Sequence, residues 1–107
     1  MAFADNLKQL PPIDTIDWID LVDGTGNVVA TIENKPGKSG SLAVYNHLLL
    51  RHGKIDAAAA REGIELFAEH TEDATRNPGR HPNIDRLLEI IARNGSFAGK
   101  VTKKPAA

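Results

Sequence analysis

The sequence predicts an α+β domain: a small antiparallel sheet, made from an N-terminal hairpin and a C-terminal strand, covered by three to four helices. Three observations carry this reading. Two β-branched runs flank Asp23-Gly24-Thr25-Gly26-Asn27, which is turn chemistry between strands. Three later segments repeat apolar residues at helical spacing. Finally, Phe97, Gly99 and Val101 alternate with Ala98 and Lys100, as a half-buried strand does.

The elements follow in order. Phe3, Leu7 and Leu10 share one helical face before Pro11-Pro12, so residues 1–12 form a short helix or a tucked arm. The next stretch reads two ways. Ile13, Ile16, Ile19 and Val22 recur every three residues, as do Asp14, Asp17, Asp20 and Asp23, which suits an amphipathic helix. The glycine-rich turn and the run Val28 to Glu33 favour a hairpin. A brief helical turn over 13–16 and strands over 17–23 and 28–33 are therefore expected, with Ile19, Leu21, Val28, Ala30 and Ile32 facing the core.

Asn34 to Ser41 is a loop by composition. A helix from Ser41 closes at His52-Gly53, where glycine supplies the left-handed residue after the last turn. Asp56 caps a second helix whose stripe is Ala57, Ala60, Ile64, Phe67 and Ala74, ending at Asn77-Pro78-Gly79. Asn83 caps a third, carrying Ile84, Leu87, Leu88 and Ile91 and stopping at Asn94-Gly95. A strand over 96–102 follows, and 103–107 is expected to fray. No internal repeat divides the chain, so residues 1–107 are expected to form one domain.

Leu, Ile, Val and Phe supply a quarter of the residues, enough for a core at this length. The absence of cysteine excludes disulfides, thiolate metal sites, iron–sulfur clusters and cysteine nucleophiles. No stretch is long or apolar enough to span a bilayer, and no export signal opens the chain, so a cytoplasmic location is expected. The net charge of −1 hides segregation. Residues 1–33 carry six acids against Lys8, and residues 34–55 carry four bases and no acid. Residues 56–73 carry six acids against Arg61, and residues 76–107 seven bases against Asp85 and Glu89. Such a distribution steers charged partners although the total is near zero.

Two basic loops are the candidate ligand site. Gly37-Lys38-Ser39 lies between a predicted strand and helix, but a phosphate-wrapping loop needs a glycine five residues earlier, where Ile32 stands. Lys35, Lys38 and Ser39 at a helix start nevertheless suit an anion. Arg80 and His81 precede the third helix in the same way. If the loops meet, they would hold a phosphate, a carboxylate or an acidic protein partner. The plainer alternative is that the lysines are solvated, a Ser caps the helix, and Arg80 and Arg86 pair with Asp85 and Glu89.

A small enzyme or metal-binding protein centred on Glu69, His70, Asp73 and His81 is the competing reading, since His70 and Asp73 are one helical turn apart. No HExxH pattern accompanies them, and a histidine beside the apolar stripe is more often simply packed. His47 and His52, five apart, fall on different faces of their helix. The turn at 23–27 lacks the glycine and the twelfth-position glutamate of a calcium loop. Ser39, Ser41 and Ser96 lack a nucleophile-elbow context. A binding or interaction domain without catalysis or cofactor is thus the leading expectation. Nucleic acid is disfavoured because Tyr45 and Phe97, the aromatics near basic segments, read as core. Trp18, Val22 and Val29 form an apolar outer patch on the hairpin, which suits a homodimer or is covered by the N-terminal helix, so a monomer and a homodimer both remain open.

The segments IENKPG (32–37), AREGIELFAEHTEDA (60–74) and HPNIDRL (81–87) resemble a small family of bacterial proteins known as a domain of unknown function. The resemblance runs from about Asp17 to Ile91 and leaves out the acidic lead and the KKPAA tail. It implies a compact, stand-alone cytoplasmic domain and assigns no catalytic residue.

Overall fold

A computed structural model describes residues 2–105. The element order is α1 (Phe3–Leu7), β1 (Ile16–Val22), β2 (Val28–Glu33), α2 (Ser39–His52), β3 (Ile55–Asp56), α3 (Ala57–Phe67), α4 (Glu69–Arg76), α5 (Pro82–Arg93) and β4 (Ser96–Lys103). The fold is α+β. Its antiparallel sheet has four strands in the order β2-β1-β4-β3, so the C-terminal strand lies beside the first. The hairpin reading of the ambiguous aspartate-rich stretch is correct: Ile19 pairs with Ile32 on one side and with Val101 on the other. The short strand β3 was not anticipated; two residues carry no periodicity.

The hairpin turn is built by Asp23, whose carboxylate accepts from the Thr25 and Asn27 backbone N–H groups at 2.9 and 3.0 Å. These bonds, led by one from the Thr25 hydroxyl, hold the Asp23 carboxyl below its ordinary pKa. Inward-facing Ile19, Leu21 and Ile32 are fully buried under α2. Val28 departs from expectation. An irregularity between Leu21 and Val22 shifts the register so that Val28 opposes Val22, and Val28 is 57% exposed. Gly99 lets α2 approach β4, since a Cβ there would overlap Leu49.

Helix α2 starts at Ser39, two residues early, and ends as predicted on Gly53 in the left-handed region. Asp56 caps α3 by accepting from the Ala59 N–H at 2.9 Å. Asn83 does not cap α5. The helix begins at Pro82, because proline suits a first-turn position, and His81 is the N-cap without a side-chain bond. Asn94 ends it in the left-handed region.

The expected single helix over 56–76 is broken. Ala68 adopts φ 51° and ψ −118°, a conformation that costs a residue with a Cβ and that no local sequence signal announces. Thr71 stabilises the corner by donating its hydroxyl to the Ile64 carbonyl at 2.6 Å. The break turns α4 back toward α5. Ala68→Gly is expected to raise stability by about 1 kcal/mol in thermal or urea unfolding, since glycine relieves this strain at a smaller entropic cost.

Two further expectations are corrected. Helix α1 packs on α2 and α3 and not on the outside of the hairpin, so Trp18 and Val29 remain 37% and 46% exposed. The segment after 102 is held at its start: Lys103 belongs to β4, and the Lys104 N–H donates to the Thr15 carbonyl at 2.8 Å. Residues 106 and 107 lie outside the described residues.

Candidate functional site: a basic cleft at two helix starts

The two basic loops meet. Lys38, Ser39, Arg80 and His81 line one cleft of about 610 Å³, together with the first turns of α2 and α5. Neither helix start is capped by a side chain, so both present backbone N–H character to the cleft. Lys35 is not among the lining residues; its ammonium pairs with Glu33 at 2.9 Å.

Arg86 joins the lining and was missed by sequence reading, which paired it with surface acids. It sits one turn past Pro82 and Asn83, so it shares their face of α5. Its Nη1 donates to the Tyr45 hydroxyl at 3.1 Å and to Asn83 Oδ1 at 2.9 Å, while the Tyr45 hydroxyl donates to the Asn83 carbonyl at 2.6 Å. A tyrosine from α2 thereby fixes the first turn of α5 and a cation together. Among the described residues, neither Lys38 nor Arg86 lies within ion-pair distance of a carboxylate.

His81 is held from behind. Its Nε2 lies 2.6 Å from Asp73 Oδ2, and an ionised carboxylate only accepts, so the ring donates. That bond is the main reason the Asp73 carboxyl sits below its ordinary pKa; burial opposes it and Arg80, 3.7 Å away, assists. Below the rim the wall is apolar, with Phe3, Leu7, Phe67 and Ile84. Phe3 was read only as part of an N-terminal helix face. No local signal places it here, because its contacts are distant in sequence: its N–H donates to Glu69 Oε1 at 2.8 Å, and its ring stacks on Phe67.

The residues of the competing reading divide. His70, Asp73 and His81 gather at the cleft, whereas the Glu69 carboxylate is engaged at the start of α1. Among the described residues no group of three or more His, Asp or Glu is arranged to hold a metal ion. His47 and His52, placed on different faces by spacing alone, converge instead on Glu62 of α3, each at 2.8 Å, with Arg51 also at 2.8 Å. Burial works to raise the Glu62 pKa, but the hydrogen bonds from His52 and His47 outweigh it and hold the group low. This cluster joins α2 to α3 and lies outside the cleft lining.

Fold and site together define a two-layer α+β domain with a cationic cleft on its helical side. The chain belongs to the family described as uncharacterized protein conserved in bacteria (DUF2322), whose model matches residues 3–101. The match reaches beyond the 17–91 resemblance to take in α1, the acidic lead and most of β4. Comparison with curated proteins and with solved structures finds no match. No helix of the described residues is long and apolar enough to cross a membrane.

Proposed function

We propose that the chain is a non-catalytic binding domain that holds an anionic ligand in the cleft between loops 34–41 and 76–83. One observation carries this reading. In a chain with fourteen acidic residues and a net charge of −1, the cleft is lined by Lys38, Arg80 and Arg86 beside His70 and His81, and among the described residues no Asp or Glu lines it, Asp73 standing behind His81 and Arg80. Lys38 and Arg86, which have no carboxylate within ion-pair distance among the described residues, and Arg80, which shares Asp73, converge in a concave, partly apolar site and attract anions more strongly than scattered surface charges do. A small anion is the simplest occupant, and an acidic side chain of a protein partner would use the same groups.

Inorganic phosphate at about ten times its dissociation constant is expected to raise the melting temperature by roughly 5 °C, through preferential binding to the folded state. In Lys38→Ala/Arg80→Ala that increase should disappear while the unliganded melting temperature stays close to wild type, since both side chains are exposed. An undiminished increase in the double variant, or none with phosphate, sulfate or acetate in the wild type, rejects the reading.

A further inference from the structure

We propose that the ligand is a phosphate monoester of an aromatic body, in the class of aryl or nucleoside monophosphates; this rests on the anion-binding reading above and narrows it. Four rings run in sequence along the cleft. Phe67 stacks on Phe3 with centroids 5.4 Å apart, Phe3 meets His70 edge-on at 5.0 Å, and His70 meets His81 at 5.7 Å. All four line the cavity. The row starts in the core at Phe67, which is 2% exposed, and ends at the rim, where His81 stands beside Arg80.

A bare ion would engage only the rim. The volume of about 610 Å³ falls within the roughly 300–1,000 Å³ typical of sites for larger organic ligands. Rings pack well against other rings, in offset or edge-on geometry, so this wall favours a flat aromatic body over an aliphatic chain. At the rim, Lys38 and Arg80 converge from separate loops, Arg80 also facing Asp73 at 3.7 Å, and two converging basic side chains suit a dianion with several acceptor oxygens better than a monocarboxylate. Gly40 belongs to the same design. A Cβ there would stand 3.0 Å from the Phe3 ring, so glycine lets the ring lie against the first turn of α2 beside Lys38.

The test is titration calorimetry of the wild-type chain with phenyl phosphate, inorganic phosphate, benzoate and phenol. Phenyl phosphate is expected to bind about tenfold more tightly than each of the others, from burial of one aromatic face together with the dianion contacts. NMR should show ring-current shifts at the Phe3 and His70 ring protons with phenyl phosphate and none with inorganic phosphate. Phe3→Leu should weaken phenyl phosphate binding by a larger factor than inorganic phosphate binding, and so reduce the preference between them. Should that variant unfold, the shifts in the wild type decide. Equal affinity for phenyl phosphate and inorganic phosphate overturns the aromatic assignment and leaves the anion site standing. Equal affinity for benzoate or phenol overturns the phosphate assignment. Failure of both phosphates to bind removes the anion reading as well.

Discussion

Leu87→Ala is expected to cost about 3–4 kcal/mol of stability, toward the upper half of what such core truncations remove. Leu87 is completely buried on α5 and faces Gly63 of α3, where an added Cβ would lie 2.7 Å from the leucine Cδ1 and 2.9 Å from Leu48 Cδ1. The hole left by truncation therefore faces a residue with no side chain to fill it. The loss is a large share of the roughly 5–15 kcal/mol that holds a domain of this size together, and the melting temperature should fall by about 15 °C. Leu87→Met, which keeps the volume, should cost less than about 1.5 kcal/mol. Urea unfolding of the two variants checks this; a loss below 1 kcal/mol for Leu87→Ala would show that α3 and α5 do not pack through this leucine. Because α5 carries Pro82, Asn83 and Arg86 into the cleft, weakened anion binding should accompany the loss.

Tyr45→Phe is expected to cost about 2 kcal/mol, since it strips a buried network of its hydroxyl while leaving the Asn83 carbonyl and the Arg86 guanidinium behind. The same residue predicts alkaline behaviour. Burial pushes the Tyr45 phenol up to about 12 from an ordinary 10.0, with the charge of Arg86 only partly opposing the rise. A folded-state pKa above the unfolded one means that the folded protein holds the proton longer. Its stabilising contribution is complete below pH 10 and declines as pH rises through about 12. Tyr45 is the sole tyrosine, so phenolate absorbance reports it without overlap from another. The absorbance should stay low between pH 10 and 11 and then appear near 12 or together with unfolding. A midpoint near 10 in the folded protein would contradict the burial. In Tyr45→Phe the downward slope of stability over this range should be smaller than in the wild type by the phenol's share.

The hairpin, the left-handed Gly53, the Asp56 cap and the C-terminal strand were legible because each leaves a local pattern, a turn, a cap or an alternation, even where, as in β4, the pairing partners are distant. The broken helix at Ala68 was not. Alanine is a good helix former, and the turn is imposed by the packing of Phe67, Thr71 and α4 around it. Misplacing Asn83 as a cap has a local origin instead: the proline before it already starts the helix. Of the cleft, Lys38, Arg80 and His81 were visible as basic residues at helix starts, and Ser39 as a polar one beside them. Arg86, Phe3 and the ring row were hidden because their partners are distant in sequence.

What the sequence determined by itself was a sheet-and-helix domain and four segregated blocks of charge, both local properties of pattern and composition. Tertiary structure alone decided that two positive blocks meet. Placing β4 beside β1 returns the chain to the hairpin, and the bend at Ala68 carries Asp73 to the back of His81. Among the described residues the acids of 56–73 are thus kept out of the cleft lining, Asp73 facing His81 and Arg80 from behind, so Lys38 and Arg86 stay without a carboxylate within ion-pair distance. Spacing along a chain fixes which face a side chain takes; only packing fixes which charges are left facing a common space.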